Sequence, residues 1–213
     1  MSLEVINQNE NKISIRLKGI PLQYANALRR ICLNGVPIFA IDEVEILENT
    51  SIMPDEALAH RLGLIPLKTD SKDVVISDEE INESNSRVIL TLDSGEINDA
   101  ENGDTTRTVF SNELKGEDDG VKPISENIPI VTLAPGQKIK FQAYARLGRG
   151  TEHAKWNSAN TSVLTETKNK DEHILTVEST GSLDAKNIVL IGMDELSTRL
   201  VKFKEILSNL ETK

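Results

Sequence analysis

The last thirty residues constrain this chain more than any other stretch. After Gly181 and Ser182, apolar residues recur at Ile188, Ile191, Leu196, Leu200, Phe203, Leu207 and Leu210, the spacing of one helix face. Ser182 suits the N-cap and Asp184 the first turn. From Leu183 to Leu210 this helix would run 28 residues, roughly 40 Å at 1.5 Å per residue. Nothing N-terminal to it needs so long a lid. Two accounts stay open: a core helix covering its own sheet, or a helix that buries part of its stripe against another chain.

The remaining patterns supply a sheet-rich body. Leu3 and Val5, then Ile13, Ile15 and Leu17, alternate with polar residues around turn residues at Asn7–Asn11, predicting a hairpin. Pro21 fits the first position of a helix carrying Leu22, Ala25, Leu28, Ile31 and Cys32 at helical spacing, with Gly35 as its stop. Phe39–Leu47 reads as a strand and Asp55–Gly63 as a short helix. Further strands are expected at Arg87–Leu92, Arg107–Phe110, Ile128–Leu133, Lys138–Ala145 and Glu172–Val177, with a polar loop over Asn157–Asp171. The fold class is α+β.

Charge is concentrated in one window. The formal net charge is −10, yet Asp70–Gly120 holds 15 acidic and 4 basic residues, and the rest of the chain is close to neutral. A globally basic nucleic-acid binder is excluded. No uncharged stretch approaches the roughly 20 apolar residues of a membrane span. The N-terminal MSLEVINQNE lacks a basic region followed by an apolar core, so no signal peptide is expected. Cys32 is the only cysteine, which rules out an internal disulfide, a four-cysteine zinc site or an iron–sulfur cluster. A cytoplasmic location is expected.

Catalytic constellations are missing. His60, His153 and His173 stand in no metal-binding spacing, and His173 is read as an exposed strand residue. The glycines of Leu147-Gly-Arg-Gly-Thr151 are not followed by Gly-Lys-Ser/Thr, so they form no phosphate loop. The acidic window lacks calcium-loop spacing and reads as solvated surface. Arg29 and Arg30 are adjacent on a helix and point about 100° apart, so at most one lies on the apolar face. A solvated helix edge is the simpler account of the pair, and docking of a partner is the other. Trp156, the sole tryptophan, fits either a packing anchor or an interface hot spot.

Three long strings then carry a resemblance. Ala25-Asn-Ala-Leu-Arg-Arg-Ile-Cys-Leu-Asn-Gly-Val-Pro-Ile-Phe-Ala-Ile-Asp-Glu-Val-Glu45 resembles the signature of the alpha-type subunits of cellular RNA polymerases. Met53-Pro-Asp-Glu-Ala-Leu-Ala-His-Arg-Leu-Gly-Leu-Ile-Pro-Leu67 is similar to the archaeal and eukaryotic branch of that family, and Gln137–Trp156 to its archaeal members. Val177-Glu-Ser-Thr-Gly-Ser182 fits as well. The strings stand in family order, and the type resembled is the archaeal D subunit, counterpart of the third-largest subunit of eukaryotic polymerase II.

The resemblance implies a discontinuous dimerisation domain, residues 1–48 plus 172–213, interrupted by a mostly β insert domain, residues 49–171. It implies a non-catalytic scaffold that heterodimerises with the small L-type subunit and forms the platform for the large catalytic subunits. Dimer contacts would come from Leu22, Ala25, Leu28, Ile31, Leu196, Leu200, Phe203, Leu207 and Leu210. Arg29 and Arg30 would face the second-largest subunit. His60, Arg61, His153, Lys155 and Trp156 would dock the large subunit or the small zinc-binding subunits. DNA would be met only through the complex. Many family members carry a cysteine-rich metal module in the insert; with Cys32 alone, no metal or other cofactor is expected here. The rival readings are the equivalent subunit of a eukaryotic polymerase I/III-type enzyme and a stand-alone acidic protein-binding module.

Overall fold

The computed structural model describes residues 2–72, 74, 87–95, 106–116, 120–169 and 171–210. Twelve of the fifteen acidic residues of the 70–120 window lie outside them. The chain divides into two compact units, residues 1–37 with 149–213, and residues 38–148.

The first unit is one antiparallel sheet under two helices. Its strands are β1 (Ser2–Gln8), β2 (Lys12–Lys18), β9 (Ala159–Glu166) and β10 (Glu172–Ser179), in the order β1-β2-β10-β9. Its helices are α1 (Leu22–Asn34) and α3 (Ala185–Leu210). Alternation fixes the inner face: Ile13, Ile15 and Leu17 from β2 and His173, Leu175, Val177 and Ser179 from β10 are buried. α1 packs on β9 and β10, α3 on β10 and β2, and the helices meet each other. β1 is left bare: Leu3 and Val5 pair with Leu17 and Ile15, yet both are exposed.

The second unit carries β3 (Ile38–Asn49), α2 (Asp55–Gly63), β4 (Val88–Asp93), β5 (Arg107–Phe110), β6 (Lys115–Gly116), β7 (Pro129–Leu133) and β8 (Ile139–Gly148). The sheets run β3-β8-β4-β6 and β5-β7. Phe141, Ala143 and Ala145 of β8, Leu90 and Leu92 of β4, and Leu58 and Leu62 of α2 share one core. Leu58 and Leu62 are four apart, so both face the sheet from one side of α2.

Several expectations need correction. Pro21 is the N-cap of α1, with ψ 139°, and its carbonyl accepts from the Tyr24 and Ala25 N–H groups. Ser182 does not cap α3: the helix begins at Ala185, and the buried Ser182 Oγ has no hydrogen-bond partner. The polar loop expected over Asn157–Asp171 contains strand β9. Its inner face is small and polar because it lies against α1, where Ser162 Oγ donates to the Arg29 carbonyl at 2.8 Å. The compact units divide at 37/38 and 148/149. The reason is pairing: β3 is laddered to β8 from Ile38↔Gly148 to Asn49↔Ile139, and β9 belongs with β10.

Candidate functional site

The helix α3 carries a single apolar stripe with two fates. At 100° per residue, Ala185, Ile188, Val189, Gly192 and Glu195 project from the same side as Phe203, Ile206, Leu207 and Leu210. The first set is buried against the sheet and α1. From Arg199 to Leu210 every residue is exposed, and Leu200, Val201, Phe203 (59%), Ile206, Leu207 and Leu210 (65%) stand out as large apolar side chains in water. Leu22 and Tyr24, at the start of α1, are exposed in the same unit. The bare stretch is continuous with the packed one, and large exposed apolar patches are the usual pattern of interaction surfaces.

Two features hold the packed half in place. Gly192 lets α1 approach closely: a Cβ there would lie 3.2 Å from Cys32 Sγ and 3.6 Å from Ile31 Cγ2. One turn on, Glu195 is buried between two guanidiniums, with Oε1 3.1 Å from Arg149 Nη1 and 2.6 Å from Arg199 Nε. Arg149 is itself buried and donates to the Gly35 carbonyl at the end of α1. Its neighbour Gly150 cannot be replaced, because a Cβ would fall 2.0 Å from Asn157 Oδ1 and 2.9 Å from Asn34 Cα. The glycines around Arg149 thus serve a tight return of the chain onto α1.

The expected interface residues separate along the same line. Ala25, Leu28 and Ile31 are buried within the unit, and Leu196 is half-buried. Leu22, Leu200, Phe203, Leu207 and Leu210 are exposed. Reading the stripe missed Tyr24 and Ile206. It also missed the Arg149–Glu195–Arg199 cluster. One signal was available: Glu195 sits seven residues after Ile188, on the apolar face, and a carboxylate there needs a buried cation.

Arg29 and Arg30 diverge as adjacent helical residues must. Arg29 Nε donates to Asn26 Oδ1 at 2.9 Å and its Nη1 to the Ser162 carbonyl at 3.3 Å, so it braces α1 on β9 through neutral acceptors. Arg30 is exposed and makes no hydrogen bond or ion pair among the described residues. His60 and Arg61 lie exposed at the end of α2, beside the exposed Leu64. His153 and Lys155 fall in the first unit. Trp156 is only 3% exposed, which makes its ring a packing anchor; Lys155 Nζ lies 4.2 Å from its centroid.

Among the described residues, no group of three or more His, Cys, Asp or Glu side chains could hold a metal ion. Cys32 is buried against Gly192, and desolvation pushes its thiol up to about 12, so it offers no thiolate. His173, expected to be exposed, is buried on the inner face of β10. No helix among the described residues is long and apolar enough to cross a membrane.

Comparison with known proteins places these features. Residues 44–180, more than half of the chain, match the family model described as RNA polymerase Rpb3/RpoA insert domain. The chain is 41% identical over 156 residues to a DNA-directed RNA polymerase subunit Rpo3 of Pyrococcus horikoshii, covering 73% of this chain and 56% of that protein. The same-named protein of Pyrococcus furiosus is 42% identical over 156 residues, with the same coverage. That of Aeropyrum pernix is 40% identical over 171 residues, covering 76% of this chain and 58% of the relative. The chain therefore spans little more than half the length of these archaeal relatives.

Proposed function

The chain belongs to the RNA polymerase Rpb3/RpoA insert domain family, and from that membership we propose that it is a scaffold subunit of a DNA-directed RNA polymerase, of the archaeal D type, acting in transcription without catalytic residues of its own. It pairs with the small L-type subunit, and the pair is the platform on which the large catalytic subunits assemble in the cytoplasm. The observation that carries this reading is the bare half of the α3 stripe. Five large apolar side chains of the stripe, Leu200, Phe203, Ile206, Leu207 and Leu210, lie exposed, and burying each would contribute roughly 1.5–3 kcal/mol before association costs. A partner helix laid along this stripe, with Leu22 and Tyr24 at its side, would complete the layer that α3 begins.

The other exposed groups then receive roles in the same assembly. Arg30, rather than Arg29, is the member of the pair available to the second-largest subunit. His60 and Arg61 on α2, and His153 and Lys155 in the first unit, are surface cations and imidazoles for the large subunit or the small zinc-binding subunits. The chain itself holds no zinc or iron–sulfur cluster in this reading.

Co-expression with the cognate small subunit tests the proposal. The expected result is a one-to-one heterodimer on native mass measurement. A chain that stays separate from that subunit would overturn the reading.

A further inference from the structure

The turn that joins β3 to α2 in the second unit is tied down on both sides of one residue. Asn49 Oδ1 accepts from the Ser51 N–H at 3.0 Å and from Ser51 Oγ at 2.7 Å. Asn49 Nδ2 donates to the Met53 carbonyl at 2.9 Å and to Asp55 Oδ1 at 2.7 Å. Ser51 Oγ accepts in turn from the Met53 N–H at 3.2 Å. The Thr50 N–H donates to the Lys138 carbonyl at 3.0 Å, and Thr50 Oγ1 accepts from the Lys138 N–H at 2.8 Å. Met53 packs against the core of the unit. Between these anchored neighbours stands Ile52, 89% exposed, the most exposed large apolar side chain among the described residues.

A single apolar residue on a surface is ordinary. Ile52 differs in how firmly it is presented. Its β-branched side chain has few rotamers, and its backbone is pinned from both directions. Little conformational freedom is left to lose when another surface covers it, which lowers the cost of binding there. A rigid apolar projection of this kind has the character of an interface anchor.

The surroundings narrow the partner. Asp55 and Glu56, in the first turn of α2, are exposed and make no ion pair among the described residues. Lys138, which holds Thr50, is paired with Glu48 at 2.8 Å, and His60 and Arg61 lie at the far end of α2. The uncompensated charge beside Ile52 is therefore negative, and a complementary surface is apolar at its centre and cationic at that edge. One isoleucine covers far less than the roughly 800 Å² per partner of a stable interface. Its occupant must be held by other contacts as well. In the scaffold reading the second-largest subunit meets that condition, since it also docks on Arg30.

We propose that Ile52 is an anchor that enters an apolar pocket, edged by Lys or Arg side chains, on the second-largest polymerase subunit. The inference rests on the scaffold reading and adds to it a contact residue on the second unit.

The test titrates the purified second-largest subunit into the heterodimer of the full chain with the small L-type subunit, using wild type, Ile52→Ala, Ile52→Val and Glu56→Lys. Ile52→Ala is expected to weaken binding about tenfold or more, while heterodimer formation and thermal midpoint stay as in wild type. Ile52→Val should bind nearly as wild type, because it keeps most of the apolar volume. Glu56→Lys should weaken binding more at low salt than at high salt; an equal or opposite effect overturns the cationic edge. Wild-type binding that Ile52→Ala leaves unchanged overturns this inference alone, and so does a loss confined to the small zinc-binding subunits. A wild-type heterodimer that does not bind the second-largest subunit overturns the scaffold reading and this inference with it.

Discussion

The two halves of α3 share one stripe and differ in what lies opposite it. Between Ala185 and Glu195 the stripe meets the sheet and α1, and it is sealed. Between Leu200 and Leu210 the same face meets nothing among the described residues. Composition does not distinguish the halves; if anything the bare half is the more apolar. The difference is therefore one of reach, since the helix outruns the sheet it covers. A packed stretch and an exposed one are laid end to end on one element, and substitutions along it should separate what each does.

The sharpest contrast is a carboxylate placed in each half. Ile188→Asp puts an unpaired charge in the sealed stretch and should cost about 4–5 kcal/mol, read as loss of the cooperative urea transition. Phe203→Asp should leave the isolated chain within about 0.5 kcal/mol of wild type and abolish the heterodimer by native mass; a normal heterodimer would erase the distinction. Next in size is Glu195→Gln, which removes the buried carboxylate charge between Arg149 and Arg199 and should cost about 3–4 kcal/mol. A smaller effect is expected for Gly192→Val. Crowding of Cys32 and Ile31 should lower stability by ~1–3 kcal/mol, without the specific loss of pairing seen for Phe203→Asp.

The smallest effect is a pH dependence confined to the sealed half. Burial raises the Cys32 thiol from 9.0 to about 12. Below pH 9 both folded and unfolded chains hold the proton, and the contribution is fully present. Above pH 9 the unfolded thiol ionises first, so the unfolded state binds fewer protons and stability falls as pH rises toward 12. The slope is at most about 1.4 kcal/mol per pH unit. Denaturation midpoints measured from pH 8 to 11 should show this fall in wild type and a shallower one in Cys32→Ala.

Much of this arrangement can be read before folding, and the gaps have physical causes. The strand β2, the helix α2 and the alternation of β8 follow from periodicity, because each buries a face against its own neighbours. β9 escapes because Ala159 and Ser162 look unlike core; Ser162 is buried by bonding to a helix carbonyl, a partner distant in sequence. His173 shares the phase of Leu175 and Val177, so alternation alone could have placed it inside. The stripe of α3 is legible, but the point where it emerges into water depends on where the sheet ends. Ala25, Leu28 and Ile31 show the same gap on α1: helical spacing identifies an apolar face without saying whose core receives it. Trp156 resolves to a packing anchor only when its burial is seen.

The pairing of Ile38 with Gly148 reaches beyond architecture to the order of folding. The first unit joins β2 to β10 across more than a hundred intervening residues, and closing so long a loop from an open chain costs ~4 kcal/mol in entropy. The second unit contains all the strands it pairs, so it can form first. Once β3 and β8 are zipped, the ends of that loop sit one ladder rung apart. The long closure has by then been met, and β2 and β10 search for each other as near neighbours. The inserted unit thus acts as an intramolecular clamp during folding, and slowing its formation should slow the first unit too.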